Sequence, residues 1–549
     1  MSCRLCFTQA NCPYFDALKV EYLRSIYLVY WSNVFMSNST GTPSPTDSFS
    51  SQQAWWVWGI ASVTAVLHLA VANRYGYFRN ELYFIDCGKH PAFGYVDQPP
   101  LIPLLAATTQ AFGHHLWLLR LPAALAAAVL VPVTAAFARL FSRRTAVVVT
   151  AALAAALSPA FAAMTATLTT TTFEPLAWTG CAYFIARYIV RHHPSSLLWA
   201  GVVAGLAMEA KYGIAMWLGG LFLGLLLLYR DVLLTKKLWL GAALGALIAA
   251  PSLVWQVAHH WPFLALIAHH HAIGFDLTGG PLVFEVGQIL ANNLVLAPLW
   301  IAGVIAPFLI EELKPARFLA VAFVVATIID IATQGKDYYL FGAYPVMFAV
   351  GVGVLSLRIP RWAVAVWLAV AGVQFAIIVP VVLPVMRPHR LAFLLNHSHL
   401  RPRPDEIAGV GAPLTQMFSD EMGWKELEKQ VAKVYDALPE QDKQKASIFA
   451  SSYGEAAAID FFGGADGLPQ VIGGGNQYYL WGPRGADGSV MIVVNGDPDH
   501  WRSACNDLQI AGRFGVPLAM PYEQDRPILV CRGLRRNLQQ AWPDFQRYE

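Results

Sequence analysis

The 549-residue sequence is poor in charge: Asp, Glu, Lys and Arg together make up 13% of it, against roughly 25% in ordinary soluble domains. So few charges cannot cover a water-facing surface of the usual kind, and the 56% hydrophobic content points to a chain that lies largely in a bilayer. The formal net charge is only +3, which implies no nucleic-acid partner. Seven cysteines are too few for a disulfide scaffold. Cys3, Cys6 and Cys12 lie in an N-terminal stretch with no matching His or Cys partners nearby to complete a zinc site, while Cys505 and Cys531 share the C-terminal segment and can pair if that segment is exported. No Gly-x-x-x-x-Gly-Lys loop occurs, so direct nucleotide chemistry has no support. No internal hydropathy repeat of the kind found in secondary transporters occurs either.

What is present is a series of apolar segments. About 20 apolar residues are needed to cross a bilayer as a helix, and about eleven candidate spans recur, near 54–73, 118–141, 145–166, 172–190, 197–210, 212–229, 238–257, 285–307, 316–333, 338–357 and 362–384. Lys and Arg stay on the cytoplasmic side of short loops. Arg143 and Arg144, Arg187 and Arg191, Arg230 with Lys236 and Lys237, Lys314 with Arg317, and Arg358 with Arg361 fall on alternate loops, which assigns those loops inward. Residues 74–117, 167–173, 258–284, 334–339 and everything after 384 then face outward.

Residues 1–53 hold one short apolar patch and a Ser-, Thr- and Pro-rich run, read as a poorly ordered extension rather than a signal peptide. Residues 54–384 form the membrane domain. The tail, 385–549, alternates a helical run, "DEMGWKELEKQVAKVYDAL", with strand-like runs, "KASIFAS" and "SVMIVVNGD", and reads as a soluble α/β domain. The fold expected is a mainly α polytopic helix bundle followed by that domain.

Ionisable groups beside a membrane are costly and are functional candidates by default. The first outward loop, "GYFRNELYFIDCGKHPAFGYVDQPPL", holds Arg79, Glu81, Asp86 and Asp97. Glu174 opens a span in "TTTTFEPLAW", and Lys211 interrupts an apolar run two residues after Glu209, a partner within reach. "HHWPFLALIAHHHAIGFD" carries five histidines including His269, and "GKDYYLFGAYP" carries Lys336, Tyr338 and Tyr339. Carboxylates can act as general base or hold a divalent metal ion, and Lys or His can bind a phosphate leaving group. The bland alternatives are specific too: Asp97 as a turn cap, Glu174 as a helix-dipole acid, Lys211 as a snorkelling amine, Tyr338 and Tyr339 as interfacial belt aromatics, and the histidines as an exposed run whose spacing fits no tight metal site.

Taken in this order on these loops, the first loop, the Phe-Glu-Pro turn and the Gly-Lys-Asp-Tyr-Tyr turn resemble the bacterial branch of the dolichyl-phosphate-mannose protein mannosyltransferase family, with the aminoarabinose transferases as relatives. The similarity runs through most of residues 54–384. It implies a GT-C membrane glycosyltransferase of the cell (inner) membrane that takes a sugar from a polyprenyl-phosphate donor and passes it to an envelope acceptor, lipid, glycan or protein. It further implies Glu81 as catalytic base, with Glu174 and Asp97 assisting, and Lys211, Lys336, Tyr338, Tyr339, His269 and Arg79 around the carrier phosphate and sugar. The resemblance brings no organic cofactor and leaves a divalent metal open. Where the family has an acidic pair in the first loop, this chain reads Asn80-Glu81, and an amide cannot take a proton as base. A secondary transporter and an O-antigen polymerase or ligase are the rival readings.

Overall fold

The computed structural model describes residues 48–275, 279–356, 359–464 and 466–549. The extension up to residue 47, with Cys3, Cys6 and Cys12, and the loop residue Arg358 lie outside the described residues. Residues Ser51–Glu549 form one compact unit.

Among the described residues six helical stretches are long and apolar enough to cross a membrane: Ser51–Val71, Leu121–Phe141, Lys236–Ala258, Glu311–Ala332, Asp337–Leu355 and Arg361–Val382. A seventh is reached if Gly280–Ala291 and Leu294–Leu309, which meet at a 97° bend, are taken as one broken span. The eleven expected segments are thus not all single long helices. Thr145–Ala156, Ser195–Ala210 and Ile214–Leu228 are apolar but shorter. The segment near 145–166 is interrupted before Pro159, which starts its own short helix. The outer helices keep Trp55, Trp58, Val66, Leu247, Val254, Trp362 and Val373 exposed, as lipid-facing surfaces require, whereas Asp337–Leu355 is central and largely buried.

Small residues set one of the close helix contacts. Gly201 and Gly205 on Ser195–Ala210 face Gly241 and Gly245 on Lys236–Ala258, and a methyl added at any of the four would overlap the backbone of the opposite helix. This is the small-xxx-small geometry that lets membrane helices pack without a hydrophobic driving force between them.

The tail carries a five-stranded sheet, β1 (Ala446–Ala450), β2 (Val471–Gly473), β3 (Val490–Val494), β4 (Cys505–Phe514) and β5 (Arg526–Leu534), in the order β2-β1-β3-β5-β4. β1 is parallel to β2 and β3, while β5 runs antiparallel to β3 and β4. β3 is buried along its whole length, as a central strand covered on both faces must be. Cys505 and Cys531, on β4 and β5, are disulfide-bonded.

The first loop is not an open loop. It folds into helix α1 (Arg79–Lys89) and a second helix, Leu101–Gln110, and α1 packs on helix α2 (Tyr453–Phe462) of the tail. Leu82, Tyr83, Phe84 and Ile85 share one apolar core with Trp424, Tyr453, Ala456, Ala457 and Ile448. The candidate side chains therefore sit at a seam built by both parts of the chain.

Candidate functional site

Glu81 lies on the buried side of α1 and is fully enclosed. Its Oε1 accepts from Arg120 Nε (2.9 Å) and the Leu168 N–H (3.0 Å). Its Oε2 accepts from Arg120 Nη2 (2.8 Å) and the Phe78 N–H (2.9 Å). Four donors on two oxygens use essentially the whole acceptor capacity of a carboxylate. The Arg120 guanidinium also reaches Glu421 Oε2 (3.2 Å) and donates to the carbonyls of Ala72 and Gly76 (both 3.0 Å). One buried cation cannot hold two carboxylates ionised at equal cost. Burial, with Glu81 adding to it against the pull of Arg120, pushes Glu421 up to about 8, so Glu421 is the member that stays protonated near neutrality. Sequence reading had missed Arg120, although an arginine inside "LLRLP" is the kind of membrane-embedded charge that marks a function or a pair.

Asp97, from the turn after α1, has a different setting. Its Oδ1 accepts from the Tyr83 hydroxyl at 2.8 Å, and its residue is only partly buried. Burial raises its carboxyl to about 6, against the lowering effect of the Tyr83 hydrogen bond. Such a value suits proton transfer near neutral pH. Tyr83 stacks near Tyr453, with ring centroids 4.8 Å apart. Asp86, by contrast, is buried, accepts from Tyr478 (2.8 Å) and pairs with Lys89 (3.4 Å).

Arg79 projects toward the tail. Its guanidinium lies over the Tyr453 ring at 5.4 Å, 3.5 Å from Glu406 Oε2 and 3.8 Å from Asp420 Oδ2, and donates to Tyr522 (3.3 Å). Lys336 donates to the other Glu406 oxygen at 3.0 Å. Burial tends to raise Glu406, but Lys336 and Arg79 outweigh it and hold the carboxyl below its ordinary value. Tyr453 is within electrostatic reach of Arg79, Glu406, Asp97 and Asp420, so these groups form one tract, and Asn80 joins it by accepting from the Tyr453 hydroxyl (2.8 Å). Glu406, Asp420, Tyr453 and Tyr522 had carried no local sequence signal.

Lys211 pairs with Glu174 at 3.0 Å, not with Glu209 as its sequence neighbourhood suggested. Residues two apart do not face each other on a helix, and Lys211 has already left the helix with extended backbone. Its ammonium also lies over Tyr338 (5.2 Å) and Tyr339 (4.7 Å), an arrangement that uses the ring faces rather than an interfacial belt. His269 lies apart from this tract, against Tyr548 (ring centroids 5.8 Å). The structure thus links Asp97 and Arg79 through Tyr83 and Tyr453, links Arg79 and Lys336 through Glu406, and gathers Glu174, Lys211, Tyr338 and Tyr339 in a second cluster. Among the described residues no three His, Cys, Asp or Glu side chains converge on a point fit for a metal ion.

Residues 97–255, which include Asp97, Glu174 and Lys211, match the family described as dolichyl-phosphate-mannose-protein mannosyltransferase. Over 87% of this chain and 98% of the other, the structure superposes on ArnT from Cupriavidus metallidurans, with 13% identity, both in its apo state (TM-score 0.57) and bound to undecaprenyl phosphate (TM-score 0.55). The family match thus lies on the membrane part of the chain, and the likeness to ArnT is one of fold. The Archaeoglobus fulgidus oligosaccharyltransferase is a more distant likeness, at 12% identity over 82% of this chain and 67% of that one, TM-score 0.46. No curated protein matches the sequence.

Proposed function

We propose that this GT-C protein transfers a sugar from a polyprenyl-phosphate carrier to an envelope acceptor on the outward face of the cytoplasmic membrane. One observation carries the reading: two cations, Arg79 and Lys336, converge on one buried carboxylate, Glu406, in the same tract as a half-buried Asp97 whose carboxyl is raised to about 6. Two converging cations facing one acid make a receptor for an anion of similar size, and a phosphate offers them more acceptor oxygens than a carboxylate does. The undecaprenyl phosphate bound to the superposable ArnT and the disulfide in the tail, a bond that persists in oxidising compartments, support the lipid donor and the outward orientation.

In this reading the carrier phosphate takes the place of Glu406 between Arg79 and Lys336. Asp97 removes the proton of the acceptor hydroxyl. The acceptor oxygen then bonds to the anomeric carbon as its bond to the phosphate oxygen breaks, and the electron pair leaves with the polyprenyl phosphate. Arg79 and Lys336 offset the charge that develops on the departing oxygen, and Asp97 returns its proton to water. Glu81, with its lone pairs occupied, serves in this reading to anchor α1 on Arg120, and Asp97 takes the base role expected of Glu81. Lys211, Glu174, Tyr338 and Tyr339 line the approach of the lipid. Glycan and lipid profiling of a strain lacking the protein is the test: one envelope component loses one sugar, whereas an unchanged envelope profile would remove the transferase reading.

A further inference from the structure

A well-formed cavity is lined by residues other than the Arg79, Lys336 and Glu406 cluster. Its volume is about 210 Å³, and its lining includes Val96, His259, His260, Tyr479, Arg547 and Tyr548. It is formed where the end of Lys236–Ala258 meets the short helix Asn476–Trp481 and the last residues of the chain. The volume is below the roughly 300–1,000 Å³ of pockets that enclose drug-sized ligands, and suits a single monosaccharide ring.

Three features mark it as a built site. The first is backbone geometry: His260, Trp261 and Asn476 have left-handed φ values of 62°, 57° and 42°, and His260 and Asn476 both line the cavity. Non-glycine residues stay in that region only where their surroundings hold them, and such residues collect at ligand sites. Here Asn476 is held by a reciprocal pair of bonds to the Glu549 backbone, 2.9 and 3.0 Å. The second is charge. Arg547 is the one formally charged residue in the lining, and the lining has no carboxylate. The neighbouring Glu549 side chain accepts from the Tyr453 N–H (3.2 Å) and stays within electrostatic reach of Arg547 from outside the lining. The third is the pair Tyr479 and Tyr548: aromatic faces bind sugar rings by their apolar C–H faces, and Tyr548 is also the residue that His269 packs against.

We infer that this cavity is a subsite for an acidic sugar unit, one bearing a carboxylate, of the acceptor glycan, with Arg547 reading the carboxylate and the tyrosines the ring. The assignment to the acceptor rests on the transferase reading above; the saccharide site itself does not. Val96 of the lining is the chain neighbour of Asp97, which ties the wall of the cavity to the turn that carries the proposed base.

The test needs no donor. Purified full-length protein in nanodiscs is titrated with D-glucuronate, D-glucose and inorganic phosphate, and binding is followed by ligand-observed NMR. Glucuronate is expected to bind at least ~10-fold more tightly than glucose, the worth of one charge-assisted pair. Arg547→Gln should abolish that margin, and Tyr548→Ala should weaken both sugars. Arg547 is exposed and Tyr548 half-exposed, and thermal melts check that both variants fold. If Tyr548→Ala melts early, Arg547→Gln alone decides. Equal glucuronate binding by the wild type and Arg547→Gln would overturn the site, and phosphate binding as tightly as glucuronate with no glucose binding would reduce it to a bare anion site. Glucuronate bound by a protein that releases no polyprenyl phosphate would leave the saccharide site standing and the transferase reading fallen.

Discussion

The Lys336 ammonium lies 3.0 Å from the Glu406 carboxylate across 70 residues of sequence, and Glu406 holds Arg79 with its other oxygen. A carboxylate in the seat proposed for the carrier phosphate has to leave when the donor arrives. Glu406→Gln removes the competing charge while keeping the shape. We expect the KM for donor to fall by ~10-fold with little change in kcat, since one charge-assisted contact is worth about that much in affinity. Lys336→Gln should raise KM by a similar factor. Steady-state kinetics over a range of donor concentrations checks both.

The Arg120–Glu81 pair makes a stability prediction. Arg120→Met leaves Glu81 buried without its partner and should cost about 3–5 kcal/mol, seen as a large drop in melting temperature. Glu81→Gln should cost less, because Glu421, 3.2 Å from the same guanidinium, is present to take over as the counter-ion.

Several buried acids of the seam are raised above their ordinary values: Asp97 and Asp420 to about 6, Glu455 to about 7 and Glu421 to about 8, in each case chiefly by burial. In the unfolded chain these groups titrate near 4. Their protonated forms are favoured by the fold, so the stability they contribute is full below about pH 4 and is lost as pH rises through about 6 to 8. Melting temperature should therefore fall between pH 5 and 8 on this account, and Glu421→Gln should flatten the upper part of that slope. Activity should move the other way at its acid limb, rising through about pH 6 as Asp97 ionises.

How much of this was legible in the sequence depended on the range of the interactions. Spans such as Leu121–Phe141 and Arg361–Val382 are visible because apolar composition over about 20 residues is a local property. The break at Lys211 was visible for the same reason, and so was the Cys505–Cys531 option. The bend between Gly280–Ala291 and Leu294–Leu309 was not, because Asn292 and Asn293 interrupt the apolar run only briefly and their effect depends on partners: Asn293 donates to the carbonyls of Leu157 and Ala371. In the site, Arg79, Asp97, Lys211 and Lys336 stood out as charges beside apolar runs. Their partners did not. Tyr522 meets Arg79 across 443 residues, and Glu406 sits in "RPRPDEIAGV", which reads as a solvated linker until Arg79 and Lys336 are seen around it. Glu81 stands out as the base because it is the one acid left where the family has an acidic pair, and only the fold shows that Arg120 and two backbone N–H groups occupy its oxygens.

The disulfide gives a fourth prediction. Cys505 and Cys531 close a loop with a sequence separation of 26, for which loop-closure entropy suggests about 3 kcal/mol of stabilisation. Reduction, or replacement of both cysteines by serine, should lower the melting temperature of the intact protein without changing the KM for donor, because Cys505 and Cys531 pack in a core with Trp501, Leu529 and Leu538 that contains none of the residues around Arg79 and Lys336. Thermal melts with and without reductant test it.

The central claim is that Asp97, and not Glu81, takes the acceptor proton while Arg79 and Lys336 hold the leaving phosphate. The most direct measurement is acceptor-dependent release of polyprenyl phosphate from a labelled donor by purified wild type, Asp97→Asn and Glu81→Gln proteins, each checked for folding by its melt. The account predicts release by the wild type, a loss of ~10²–10⁴-fold in kcat for Asp97→Asn, and retention of most of the rate in whatever fraction of Glu81→Gln stays folded. A folded Asp97→Asn protein that releases polyprenyl phosphate at the wild-type rate would contradict it.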